Sequence, residues 1–138
     1  MALSDARIID LPKIVDRRGN LTFIQHGGQV PFDLERVYYL CDVPGGAERG
    51  GHAHVKLEQF IAAASGSLDV VLREAGEPVR FTLRRANYGL YVPTMVWRVL
   101  ENFSSGSVRL VLASDPFDES NYYRDYDEYV AALRSRPS

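Results

Sequence analysis

Short β-type runs recur at close intervals along most of this chain, and that spacing is its tightest constraint on fold. Leu21 to Gln25 (LTFIQ) and Val37 to Val43 (VYYLCDV) are β-branched or aromatic runs bounded by turn residues. Gly51 to Val55 is a shorter candidate. Phe60 to Ala64 and Leu68 to Arg73 flank Ser65-Gly66-Ser67, which predicts a hairpin. After a turn at Glu74 to Pro78 come Val79 to Leu83, Gly89 to Pro93, Val96 to Phe103 and Val108 to Ser114. Many short strands with small turns predict an all-β sandwich or barrel. One helix is predicted, over Asp125 to Arg134. Its acids lead and its arginine closes, as the helix dipole favours. Tyr126, Tyr129, Val130 and Leu133 share one face of it. With 138 residues and no repeat or internal boundary, one domain over 1–138 is expected.

Bulk chemistry removes several function classes. A net charge of -2 gives no basic footprint for nucleic acid. No apolar run is long enough to cross a bilayer as a helix, so no membrane partner is expected. Residues Met1 to Arg7 lack the order of a signal peptide. The single cysteine, Cys41, has no intrachain partner, and a reducing cytoplasm is the simplest setting. Eight tyrosines and six phenylalanines suit strands, and also a pocket for a ring-shaped ligand.

The chemistry concentrates in Arg49-Gly50-Gly51-His52-Ala53-His54. On a strand, residues i and i+2 face the same side, so the two imidazoles lie together with Cα atoms roughly 6–7 Å apart. Such a pair suits a metal ion or proton transfer equally well. A lone strand histidine is usually a packing or surface residue. Two on one face, after a Gly-Gly that permits a sharp turn, point to a site.

The spacing resembles the first motif of the cupin superfamily: glycine, five residues, His-x-His, three or four residues, an acid, six residues, glycine. Gly46, His52, His54 and Gly66 take these places, with Gln59 in the acidic slot. Using Glu58 instead makes the last gap one residue too long. The second motif, Pro-x-Gly-x-x-His, corresponds to Pro93-Thr94-Met95-Val96-Trp97-Arg98. Arg98 stands where the third histidine ligand belongs, and a guanidinium has no lone pair for a metal. The cupin frame is kept and the metal set is not. The remaining histidine, His26, lies in a different context and is expected to be exposed.

Within the cupins the chain resembles the WxcM-like sugar-nucleotide 3,4-ketoisomerases. The resemblance rests on RGGHAH (Arg49 to His54), RVYYLCDVPGG leading into it, PTMVWR (Pro93 to Arg98), the tail LVLASDPFDESNYYRDYDEYV, and Asp16-Arg17-Arg18-Gly19-Asn20-Leu21. It implies a small cupin-type β-barrel, or jelly roll, with one short C-terminal helix, in a homodimer. It implies an enzyme that moves the ketone of dTDP-4-keto-6-deoxyglucose from C4 to C3 through an enediol or enediolate, with no metal and no cofactor. His54 is the first choice for the base that removes the C3 proton, with His52 relaying or orienting. That assignment is reversible. An unperturbed histidine, with a pKa of about 6.5, suits such a base. Tyr39 is the third catalytic candidate, favoured over its neighbour Tyr38 because only one of the two faces inward. Arg49, Arg98, Tyr38 and Arg18 are the substrate-binding candidates. A guanidinium suits either an oxyanion or a diphosphate. Trp97 and the tail tyrosines 122, 123, 126 and 129 are read as packing.

Three other readings stay open. A 3,5-epimerase handles the same 4-keto sugar but exchanges the C5 proton. A metal-dependent cupin conflicts with Arg98. A non-catalytic carbohydrate-binding cupin would bind without turnover, since one fold hosts many functions.

Overall fold

A computed structural model describes residues 2–44 and 47–135. Two five-stranded antiparallel sheets carry the chain. The first has the order β1 (Arg7–Asp10), β9 (Tyr88–Val92), β6 (Gln59–Ser65), β11 (Val108–Ala113), β4 (Arg36–Leu40). The second runs β12 (Tyr122–Tyr123), β5 (Arg49–His54), β10 (Trp97–Glu101), β7 (Leu68–Arg73), β8 (Val79–Leu83). A separate hairpin pairs β2 (Lys13–Asp16) with β3 (Gly19–Thr22). The class is the expected all-β jelly roll. The sheets face one another as a sandwich and do not join into a continuous barrel.

Between the sheets lies the main core. Ile61, Leu90, Val92 and Val111 of the first sheet meet Leu68, Val70, Leu72, Leu83 and Leu100 of the second. Each of these is fully buried. At roughly 1.5–3 kcal/mol per buried aliphatic side chain, this layer is the main favourable contribution to folding. Gly66 closes the β6–β7 hairpin with φ 70°, a left-handed value that a residue with a Cβ adopts at a penalty.

Strands β7 and β8 have the expected bounds, and most other predicted runs shift by a residue or two at their ends. The run over Leu21 to Gln25 is an exception. Strand β3 stops at Thr22, whose ladder partner is Lys13. The next position on the partner strand is Pro12, which has no N–H to donate. Likewise β4 stops at Leu40, where pairing with β11 ends at Arg109. Asp42 beyond it is left-handed, with φ 60°. Sequence patterning missed β1, β2, β12 and a four-residue helix α1 (Ala2–Asp5).

The predicted helix is α2 (Tyr126–Ser135). Asp125 Oδ1 accepts from the backbone N–H groups of Asp127 and Glu128, capping its first turn. Its apolar face buries Tyr129 against Ala53, Met95 and Trp97 on the outer side of the second sheet. Trp97 and the tyrosines 123, 126 and 129 therefore pack, as read. Among the described residues, no helix is long and apolar enough to cross a membrane.

Candidate active site

The site forms where β4, at the edge of the first sheet, faces β5 and β12, at the edge of the second. Gly51 creates it locally. Register between β5 and β10 slips there: His52 pairs with Arg98 and Gly50 with Val99, leaving Gly51 as a bulge with φ 74°. The bulge turns His52 and His54 into the space between the sheets. Their rings meet edge to face, with centroids 4.8 Å apart.

The opposite strand approaches through a turn at Pro93-Thr94-Met95. Met95 keeps a left-handed φ of 59° and donates its N–H to the His54 carbonyl at 2.8 Å. This is the position where the cupin motif has glycine. The backbone geometry has survived the loss of that glycine, and it delivers Arg98 into the interior.

A third arm comes from the tail. The Asp118 side chain caps a 3-10 turn by accepting from Ser120 N–H at 3.0 Å. The buried Asn121 then accepts from Val55 and Lys56 N–H with its backbone and side-chain oxygens. These bonds place Tyr122 opposite His54 in register. The Tyr122 ring lies 4.5 Å from His54 and 5.3 Å from His52.

Behind the histidines runs a buried polar chain. Arg98 is fully buried without a carboxylate. Its Nη1 donates to Gln59 Oε1 at 2.6 Å and its Nη2 to the Val96 carbonyl at 3.0 Å. Gln59 Nε2 donates to Tyr38 Oη at 2.8 Å, and Arg109 Nη2 donates to the same oxygen at 3.3 Å. Glu58, the other candidate for the acidic slot, points elsewhere and accepts from the Tyr91 hydroxyl. Gln59 thus takes the inward place that the spacing gave it, while Gly46 lies outside the described residues.

A cavity of about 380 Å³ opens in front of this chain. Arg49, Arg109 and Arg124 line it together with Tyr38, His52 and Tyr122, and its wall contains no carboxylate. Arg124 stacks over Tyr122 at 4.3 Å and is partly balanced by Glu119. Burial, then the charges of Arg98, Arg109 and Arg124, push His52 down to about 3. His54 is lowered further, again by burial first and then by Arg98. Burial lowers Arg98 to about 10, so it remains a cation at neutral pH. The histidines are therefore neutral, and a dense cationic field surrounds them.

The site candidates fall into three groups. His52, Arg49 and Tyr38 line the cavity. His54 and Arg98 are fully buried and are not among its lining residues. Tyr39 also lines the cavity but is 68% exposed, and the alternation of β4 turns Tyr38 rather than Tyr39 inward, which corrects the expectation. Inward positions on β4 follow Tyr38, which pairs with Val111 of the core face. Arg18 is fully outside the group. It sits on the β2–β3 hairpin, bound to Asp16, with its side chain 90% exposed. That hairpin pairs only with itself, which keeps Arg18 off the cavity wall of its own chain. His26 is exposed near Asp33, as expected. Arg109 and Arg124 were not anticipated, and Tyr122, expected to pack, instead lines the cavity against both histidines. Arg109 had a signal: a charge inside the apolar run of β11, two residues from the core residue Val111. Tyr122 and Arg124 had none, because the turn that brings them back depends on long-range bonds from Asn121.

The metal that many cupins carry does not fit these residues. Its motif positions hold two histidines, an amide and a guanidinium, and the amide oxygen is taken by Arg98. Among the described residues no three His, Cys, Asp or Glu side chains converge as a ligand set.

Two neutral imidazoles lie beside a cationic, partly enclosed pocket in a cupin-type fold, an arrangement chemically able to move a proton on an anionic ligand. Residues 4–134 match the family model "FdtA: WxcM-like, C-terminal", and the chain belongs to that family. It is 42% identical over 130 residues to a TDP-4-oxo-6-deoxy-alpha-D-glucose-3,4-oxoisomerase of Aneurinibacillus thermoaerophilus, covering 92% of this chain and 94% of the relative. It superposes with a TM-score of 0.93 on QdtA, a sugar 3,4-ketoisomerase of Thermoanaerobacterium thermosaccharolyticum crystallised with TDP, at 37% identity and 96% coverage of each chain. The TDP-quinovose 3,4-ketoisomerase WlaRB of Campylobacter jejuni gives 0.88 at 40% identity, covering 92% of this chain and 98% of its own.

Proposed function

We propose that this protein is a nucleotide-sugar 3,4-ketoisomerase acting on dTDP-4-keto-6-deoxyglucose without a metal. The observation that carries the reading is the neutral histidine pair beside a carboxylate-free, arginine-lined cavity. His52 is the base, because it reaches the cavity and His54 does not. It removes the C3 proton, and the enediolate develops beside Tyr38 and the arginine cluster. Fixed donors stabilise such an oxyanion strongly where water is excluded. Passage of the O3 hydroxyl proton to O4 and return of a proton at C4 complete the 3-keto sugar. Arg49, Arg109 and Arg124 hold the diphosphate. Burial is the larger cause of the His52 depression, and the diphosphate's negative charge offsets the smaller arginine part, moving the imidazole's basicity back up. His54 and Tyr122 hold the His52 ring in place.

The active form is a homodimer. Ile14 and its cross-strand partner Leu21 on the β2–β3 hairpin are 54% and 58% exposed and share one face, an apolar surface that the described residues leave uncovered. The exposed cysteine and the substrate chemistry suit the cytoplasm.

The test is proton NMR of protein and dTDP-4-keto-6-deoxyglucose in deuterated water containing EDTA. A 3-keto product carrying deuterium at C4 is expected. Deuterium at C5 would make the protein an epimerase. Activity that EDTA removes and a divalent ion restores would return a metal mechanism. Binding without turnover would leave a carbohydrate-binding protein.

A further inference from the structure

Gln59 is fully buried, and its amide has two orientations that differ only by exchange of oxygen and nitrogen. Arg98 decides between them. A guanidinium only donates, so the atom 2.6 Å from its Nη1 is Oε1. The amide nitrogen is then the atom facing Tyr38, and it donates to the phenol oxygen at 2.8 Å. Arg109 donates to that same oxygen at 3.3 Å. Both donors occupy the accepting positions of the Tyr38 oxygen. Its own O–H remains, and among the described residues no acceptor faces it. Tyr38 lines the cavity.

We propose that Gln59 is a positioning residue that fixes the Tyr38 hydroxyl as a hydrogen-bond donor into the cavity. The proposal rests on the ketoisomerase reading, in which that donor meets the sugar oxygen where negative charge develops. The chain Arg98, Gln59, Tyr38 runs in one direction, each member donating to the next, and such chains strengthen their terminal donor. A carboxylate at this slot would break the direction. It would accept from Arg98 equally well, but it would also draw the Tyr38 proton to itself. An amide is thus required where metal-binding cupins place an acid.

The experiment compares Gln59→Glu, Tyr38→Phe and the double variant. Gln59→Glu changes one NH2 to oxygen and keeps a partner for Arg98, so folding is preserved. Its kcat should fall about 10²-fold, close to Tyr38→Phe, with KM changed less than about threefold. In the Tyr38→Phe background the same change should have less than about a twofold effect, because its route is already gone. A Gln59→Glu enzyme with wild-type kcat overturns the proposal. So do losses that multiply in the double variant, since charge acting directly on the histidines would persist there. A second reading needs no turnover. The chain has three glutamines, and Tyr38→Phe should shift and speed the exchange of one side-chain amide in 1H–15N spectra. No amide response overturns the Gln59–Tyr38 bond. Wild-type inactivity on the sugar with the amide response intact would instead overturn the ketoisomerase reading.

Discussion

His52 and His54 differ by two positions in sequence and by one layer in depth. His52 is 8% exposed and touches the cavity, while His54 is sealed behind it. Replacing His52 with asparagine should lower kcat by about 10²–10⁴-fold with nucleotide-sugar binding kept, and should cost more activity than His54→Asn. The opposite order in single-turnover assays would return the base to His54. The same burial links the pair to stability. Folded His52 has a pKa of about 3, against about 6.5 when unfolded, so only the unfolded chain takes up the proton between those values. Stability is complete above about pH 6.5 and declines as pH falls toward 3, with His54 adding in the same direction. Unfolding free energies from urea titrations should fall by an amount on the order of a few kcal/mol between pH 7 and 4, and less steeply in His52→Asn. At this scale the sequence was informative about residue types. The HAH spacing, Arg98 in a ligand slot and Gln59 in an acidic slot were all legible. Depth was not, since residues i and i+2 look alike until the bulge at Gly51 sets how far each ring reaches in.

Among the elements, α2 and the turn before β10 act as one unit. The Tyr129 hydroxyl is buried between three backbone groups. It donates toward the Met95 and Arg73 carbonyls and accepts from Trp97 N–H. Helix and turn are therefore joined through one side chain, which holds Met95 and Trp97, three residues and one residue before Arg98 of the site. Tyr129→Phe should destabilise by about 1–3 kcal/mol by leaving these groups unpaired, and Tyr129→Ala by about 3–5 kcal/mol. Chemical denaturation followed by Trp97 fluorescence measures both. The helical face was readable because its period is local. Strand β12 was not, because two residues carry no period, and their pairing comes from Asn121 bonding to the end of β5.

For the whole molecule, the two-sheet architecture follows from alternating patterns visible along the chain, whereas the hairpin β2–β3 needed the structure. Its exposed Ile14 and Leu21, on one face, are the proposed contact with a second copy. Light scattering should give twice the 15.5 kDa chain mass, and Ile14→Lys with Leu21→Lys should give the monomer. A wild-type monomer would remove the homodimer. The arginine wall of the cavity has a consequence beyond chemistry. Like charges held together with only Glu119 to balance one of them push against the fold that confines them, and a bound dianion relieves that push. Ligand occupancy is then a form of maintenance: by mass action, the folded population rises with the supply of what the pocket holds. A cell that stops making the sugar nucleotide withdraws support from the protein that consumes it.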